Sequence, residues 1–244
     1  MKRAFADLHL RLNGKDEAAT QMMLKKAAAL GYKLVSMPCQ PEIRAEETAK
    51  LKDTCKEAGM DFASRVDLRP RTPDELLSQL RRLRRKFEVI CVLCESKEVA
   101  RQAAKDRRVD LLSFPLLDFR KRFFDRAEAE LASSSLATLE VDVKPLLALE
   151  GPARVRLLSC LRRETAIARD FHLSVVLSSG VSEVSFLRKP REMAALASLF
   201  GLEGDAGLDA VSANPSAIVK RNREKLDKGF VAPGIRVVKE GKDC

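Results

Sequence analysis

Tryptophan is absent from this chain of 244 residues, tyrosine occurs once, as Tyr32, and histidine twice, as His9 and His172. Proteins that grip single-stranded nucleic acid stack its bases on aromatic rings, so the shortage of rings interleaved with basic residues excludes that mode. Two histidines are too few for the multinuclear clusters of metal hydrolases, which draw on several His and carboxylates. No apolar run approaches the roughly 18 residues that a spanning helix needs. The opening Met1-Lys2-Arg3-Ala4-Phe5-Ala6-Asp7 meets an acid before a signal-peptide apolar region can form. The expectation is a soluble, cytoplasmic protein without membrane contact. The six cysteines, Cys39, Cys55, Cys91, Cys94, Cys160 and Cys244, are scattered rather than framed as staples, which suits free thiols in a reducing compartment.

Phosphate-binding glycine motifs are also missing: neither Gly-x-Gly-x-x-Gly nor Gly-x-x-x-x-Gly-Lys occurs, which counts against an open doubly wound sheet of the usual nucleotide-binding kind. What the chain has is positive charge, 45 Lys and Arg against 35 Asp and Glu for a net +10. Its 45% apolar residues are those of an ordinary globular protein. An excess of this size favours a polyanionic partner, because neutralising phosphates releases counterions whatever the nucleotide sequence.

Short apolar runs alternate with longer amphipathic stretches, the pattern of βαβ units. The runs at residues 4–10, 34–37, 62–67, 89–94, 111–114, 139–143, 173–178 and 208–212 predict eight strands. Between them, Leu76, Leu80, Leu83 and Phe87, or Met193, Leu196, Ala197 and Phe200, recur at helical steps. Gly31 and Gly59 fall where helices end, and Thr72-Pro73-Asp74-Glu75 and Pro190-Arg191-Glu192 read as helix starts. Eight alternations without a dividing linker predict an α/β fold, a single TIM-like (β/α)8 barrel over residues 1–229, with a polar C-terminal tail at 230–244.

Asp7-Leu8-His9-Leu10 lies at the end of the first predicted strand and resembles the Asp-Leu-His-x-His opening of the polymerase-and-histidinol-phosphatase metal hydrolases. Arg11 stands where the second histidine of that pattern belongs, so neither a metal nor a catalytic residue is assigned. Of the strand-end acids Asp67, Asp118, Glu140 and Asp142, two have Arg65, Arg69 and Arg120 near them in sequence, and pairing is the preferred reading over acid-base work. Cys91 and Cys94 sit three apart on a strand and point to opposite faces, which makes them core thiols. Ser178-Ser179-Gly180 lacks a Gly-x-Ser-x-Gly frame and reads as a tight turn.

Basic clusters exceed the background. Between positions 65 and 86 eight positive side chains face three negative ones, a balance of +5. Further clusters are Arg107-Arg108, Arg120-Lys121-Arg122, Arg154 and Arg156 with Arg162-Arg163, Arg188-Lys189-Pro190-Arg191, and Lys220-Arg221 with Arg223. Such a set fits phosphate contacts to a folded RNA, which need shape and charge but no base stacking.

Phe186-Leu187-Arg188-Lys189-Pro190-Arg191-Glu192-Met193, running on to Phe200-Gly201-Leu202, resembles the Arg-x-Pro-Arg-(Asp/Glu) helix and Gly-Leu turn of the thirty-kilodalton protein subunit family of archaeal and eukaryotic ribonuclease P, called protein component three in archaea. Phe5-Ala6-Asp7-Leu8-His9-Leu10 and Ala210-Val211-Ser212-Ala213-Asn214-Pro215 with Ile218-Val219-Lys220-Arg221-Asn222-Arg223 fit the same family. The resemblance spans nearly the whole chain. It implies a TIM-like barrel related to the metal hydrolases but lacking their metal ligands. It also implies a non-catalytic subunit of the ribonucleoprotein that removes the 5′ leader from precursor tRNA, where the catalytic RNA uses Mg2+ and this chain binds no cofactor. The implied partners are ribonuclease P RNA, a small ferredoxin-like subunit in a two-plus-two heterotetramer, other protein subunits, a kink-turn-binding ribosomal protein and, as holoenzyme substrate, precursor tRNA. The chain looks like an archaeal member.

Arg65, Arg69, Arg81, Arg82, Arg85, Arg107, Arg108, Arg120, Arg188, Lys189, Arg191 and Lys220 are the candidate RNA contacts, and Leu116, Leu117 and Phe119 a candidate partner surface. A free-standing metal-dependent phosphoesterase, favoured by Asp7 and His9, and a general RNA-binding scaffold are the competing readings.

Overall fold

The computed structural model describes residues 3–12, 16–115, 118, 122–227, 229–232 and 235–236. Seven parallel strands lie side by side in chain order: β1 (Phe5–Asp7), β2 (Tyr32–Pro38), β3 (Asp61–Leu68), β4 (Val89–Leu93), β5 (Leu111–Ser113), β6 (Thr138–Asp142) and β7 (Val175–Ser178). Connecting them are α1 (Glu17–Leu30), α2 (Ala45–Glu57), α3 (Pro73–Leu83), α4 (Lys97–Lys105), α5 (Arg126–Ser134), α6 (Lys144–Ala148) and α7 (Gly151–Asp170). After β7 come α8 (Pro190–Ala197), α9 (Gly204–Ala210) and α10 (Ala213–Leu226). A separate antiparallel pair, β8 (Phe230–Ala232) and β9 (Ile235–Arg236), lies in the segment expected to be a polar tail.

Local chemistry fixes the helix ends. The Thr72 hydroxyl accepts the Glu75 N–H at 3.2 Å, with Pro73 in the first turn of α3. Asp125 and Glu128 form a reciprocal capping box at α5. Gly31 closes α1 in the left-handed region at φ 102°, a conformation that costs glycine little.

The sheet curls into a nearly closed TIM-like barrel. At the mouth, formed by the strands' C-terminal ends, β7 and β1 are joined by Gly180 N–H donating to the His9 carbonyl at 3.0 Å and Arg11 N–H donating to the Val181 carbonyl at 2.9 Å. At the other end the Ala6 N–H donates to the Val211 carbonyl at 2.9 Å. The strand expected at 208–212 is therefore corrected: residues up to Ala210 belong to α9, and one carbonyl beyond it reaches β1. A Cβ added at Gly207 would come within 3.0 Å of the Leu202 and Ala194 carbonyls, so α9 packs backbone-close against its neighbours, and a strand cannot take its place.

Two apolar layers follow from the twofold alternation along each strand. Ala6, Leu8, Leu34, Ala63, Val89, Cys91, Leu111 and Val176 fill the barrel interior together with Ile218 and Val219 of α10. Val35, Val66, Ile90, Val92, Leu112, Leu139 and Leu177 face the helices. Cys91 thus points inward and Cys94 outward, both buried, in agreement with the core-thiol reading. The side chains of Asn214 and Asn222 donate to the Val175 carbonyl at 2.8 Å and the Glu88 carbonyl at 2.7 Å, which seats α10 across the N-terminal end of the barrel as its plug. No helix among the described residues is long and apolar enough to cross a membrane.

Candidate functional site

Above the apolar interior the barrel carries a charged layer. Ala63, Arg65 and Asp67 share the inward face of β3, and Glu140 and Asp142 that of β6. Arg65 has no exposed surface. Its guanidinium donates to Glu140 Oε1 at 2.6 Å and Oε2 at 2.7 Å, to Asp67 Oδ1 at 2.6 Å and to the Leu8 carbonyl at 2.7 Å. Ser178 Oγ adds a bond to Glu140 Oε1 at 2.7 Å. Burial alone would raise the Glu140 carboxyl, yet the Arg65 charge and hydrogen bonds hold it down at about 2.

His9, also buried, faces Asp142 Oδ1 through Nδ1 at 2.8 Å. Its Nε2 meets a donor, Arg11 Nε at 3.1 Å, and an acceptor, Asp67 Oδ2 at 3.4 Å. Neutral imidazole takes the first contact and imidazolium the second. Burial and the Arg65 charge oppose protonation, but Asp142 and Glu140 outweigh them, and the His9 pKa is raised. Asp7 turns aside from this layer. Its Oδ1 accepts the His9 and Ser179 N–H groups at 3.1 and 3.0 Å, and burial raises its carboxyl despite them.

His9, Glu140 and Asp142 bring potential ligand atoms within 4.8 Å of one another, the place where TIM barrels build their chemistry. The donors nevertheless do not fit a metal. Both Glu140 oxygens are taken by the Arg65 fork, a fixed cation stands where a metal would, and Nδ1 of His9 is committed to Asp142. Ser178 bonded to Glu140 is no nucleophile. Gly180, at φ +65°, completes a tight turn in which a Cβ would lie 2.6 Å from the Asp142 side chain. This geometry removes the support that Asp7 and His9 lent to a metal-dependent phosphoesterase.

The structure divides the candidate RNA contacts among several places. Arg65 is corrected: fully buried and ion-paired, it is part of the barrel interior and presents nothing to a ligand. Its pairing with Asp67 agrees with the alternative weighed for it. Arg69 and Arg82 line a cleft of about 690 Å³ at the barrel mouth. Arg81, Arg85, Arg107, Lys189 and Lys220 are exposed. Arg108 clamps Asp106 at 2.6 and 2.9 Å. Arg188 folds back on the Ser185 carbonyl at 2.7 Å, and Arg191 lies over the Phe5 ring at 5.9 Å. Arg120, Leu116, Leu117 and Phe119 lie outside the described residues.

A further cationic group lies at the barrel's N-terminal end. Buried Asp110, just before β5, accepts Arg84 at 2.5 Å, Arg221 at 3.0 Å, the Asn222 amide at 2.7 Å and the Ile90 N–H at 2.9 Å. Lys225, one helical turn beyond Arg221, has its pKa lowered, first by partial burial and then by Arg221, Arg84 and Arg107, against the pull of Asp110. Four cations thus gather around one carboxylate, an arrangement that an incoming anion relieves. Sequence reasoning missed Arg84 and Lys225 and left Arg221 out of the contact set. The one available signal was the four-residue spacing of Arg221 and Lys225 on a helix whose Ile218 and Val219 are apolar.

Residues 4–227 match the sequence profile of the family described as RNase P subunit p30. Ribonuclease P protein component 3 of Methanosarcina barkeri is 36% identical over 176 residues, 72% of each chain. The same-named protein of Methanococcoides burtonii is 28% identical over 236 residues, 97% of this chain and 95% of that one. Among solved structures, a chain in the cryo-EM structure of archaeal ribonuclease P with mature tRNA superposes with a TM-score of 0.83 at 21% identity, covering 98% of this chain and 100% of that chain. A putative prolidase from Bifidobacterium longum gives 0.55 at 13% identity over 90% and 70%. These two likenesses establish the shared barrel fold.

Proposed function

The chain belongs to the RNase P subunit p30 family, and from that premise we propose that it works as a protein subunit of ribonuclease P, the ribonucleoprotein that removes the 5′ leader from precursor tRNA. The observation that carries this reading is the match over residues 4–227. The chain's own chemistry agrees with it: the buried cluster of His9, Glu140 and Asp142 that could have held a metal is occupied by Arg65, and exposed cations stand ready for phosphates. Catalysis then belongs to the RNA, which uses Mg2+. The protein lowers the cost of packing that RNA by placing fixed positive charge where phosphates crowd.

The contacts we assign to RNA are those of the barrel's N-terminal end, Arg84, Arg107, Arg221 and Lys225, with exposed Arg85 just after α3 and Lys220 of α10. The partners in this reading are the catalytic RNA, a small ferredoxin-like subunit in a two-plus-two assembly, further protein subunits with a kink-turn-binding ribosomal protein, and precursor tRNA. The working compartment is the cytoplasm.

The test is a tagged pull-down from the native organism, with sequencing of the bound RNA and a precursor-tRNA cleavage assay before and after the RNA is removed. Leader cleavage that vanishes with the RNA is expected. An eluate with no specific RNA and no cleavage overturns the proposal.

A further inference from the structure

The cleft at the barrel mouth plays no part in the function proposed above. Three arginines from separate segments line it: Arg11 after β1, Arg69 after β3 and Arg82 on α3. Arg69 is exposed and has no hydrogen bond or ion pair among the described residues. Among the described residues Arg82 reaches Glu42 alone, at 3.8 Å, with both side chains mostly in solvent, a contact of little strength. Arg11 is half exposed and touches Asp142 at 3.3 Å.

The acids beneath them do not cancel this charge. Asp67 Oδ1 is held by Arg65, and Asp142 lies between His9 and Arg11. The acids of the floor, Asp67 in the lining itself among them, are thus engaged by Arg65, His9 and Arg11, and Arg69 and Arg82 are left as the cations of the walls. Among the described residues that line the cleft, His9 carries the one aromatic ring, so these residues offer a base little to stack on. Its volume of about 690 Å³ lies inside the range of roughly 300–1,000 Å³ common for small-ligand sites.

We propose that this cleft is a phosphate-binding site, in which the Arg69 and Arg82 guanidiniums grip the anion above a floor made by His9, Arg11 and the Arg65-bound Asp67, without preference for the attached base. Guanidinium forks suit phosphate oxygens because two parallel donors meet two acceptors. The phosphate belongs either to a free nucleotide or to a nucleic-acid backbone, and the chemistry of recognition is the same for both.

His9 makes the site observable, since the chain has one other histidine. With 15N-histidine label in the full chain, the His172→Gln variant assigns the imidazole signals by difference. AMP and a five-residue oligoadenylate are then titrated separately. Movement of the His9 signal with AMP supports a site open to free nucleotides; movement with the oligoadenylate alone supports one that reads a strand. In either case the Arg69→Ala/Arg82→Ala double variant, with both changes at exposed positions, weakens binding roughly tenfold or more, while Arg163→Ala on α7 leaves it unchanged. A His9 signal that stays still with both probes, or a double variant that binds as tightly as the parent, overturns the proposal. Neither outcome bears on the pull-down, so the two readings stand or fall separately.

Discussion

At the mouth of the barrel Arg65 has no exposed surface and spends its guanidinium on Glu140, Asp67 and the Leu8 carbonyl. At the opposite end Arg84 and Arg221 share buried Asp110, while Arg107 and Lys225 stand exposed beside them. Composition counts all five cations alike. Their surroundings separate them: a cation whose donors are used inside the fold stabilises the fold, and one of several cations around a single acid is available to an outside anion. The +10 net charge thus does not tell which cations are open to a polyanion.

The comparison breaks most visibly if Arg65 proves dispensable. Arg65→Met leaves Glu140 buried beside Asp67 and Asp142 without its counterion, and removing one partner of a buried pair costs about 3–5 kcal/mol. Urea denaturation reads the loss. The double variant Arg65→Met/Glu140→Leu recovers much of it, because the fully buried charge leaves together with its counterion, and Asp67, which also loses Arg65, keeps part of its surface in solvent. A single variant within about 0.5 kcal/mol of the parent would show that the mouth network is not structural.

The opposite end answers in the reverse sense. Arg107→Ala/Lys225→Ala changes two exposed side chains, so stability stays within about 0.5 kcal/mol of the parent. Affinity for ribonuclease P RNA falls, and the slope of log affinity against log salt shrinks by roughly 1–2, about one phosphate contact per cation removed. Equilibrium binding at four salt concentrations measures it, and an unchanged slope removes this end from the RNA surface.

How far the sequence revealed this contrast depends on the range of the interaction. The apolar runs placed β1 to β7 because alternation is a local signal. The eighth run misled because Leu208, Ala210 and Val211 are as apolar as a strand, while the close approach of Gly207 to α8 is tertiary. Asp67, two residues from Arg65, was readable as its partner. Glu140, 75 residues away, acquires that role through the barrel's closure, and the seating of Ile218 and Val219 inside the barrel is equally non-local. The basic clusters were visible as composition, but whether each guanidinium turns toward an acid, a carbonyl or solvent was not.

Acid sharpens the contrast by titrating one partner. The Glu140 pKa is lowered from 4.5 to about 2, so its ionised form stabilises the fold above pH 4.5, and that contribution is lost as pH falls toward 2. His9 acts in the other direction. Its raised pKa gives a contribution present at low pH and lost as pH rises through the folded value. Chemical denaturation across pH 2–5 is expected to show a decline that is shallower in Arg65→Met/Glu140→Leu, where only the other lowered acids, such as Asp61, Asp106 and Asp125, still contribute.

Glu128 provides the smallest effect and the cleanest control, because it is an acid buried as deeply as Glu140 but without a guanidinium fork. Arg101 Nε is 3.8 Å from its Oε1, an oxygen that has no hydrogen-bond partner among the described residues. Burial, and then neighbouring Asp125, raise its pKa from 4.5 to about 7. Between those values the folded chain holds a proton that the unfolded chain has released, so stability rises as pH falls from about 7 to 4.5, and above 7 the folded state carries an ill-placed charge. Glu128→Gln removes the charge and keeps the shape. It is expected to gain on the order of 1 kcal/mol at pH 8 and nothing at pH 4, read from denaturation midpoints at the two pH values. The opposite response from Glu140→Gln, destabilising at pH 8 and fading toward pH 2, would establish that the Arg65 fork and not depth of burial decides whether an acid in this barrel is an asset when charged.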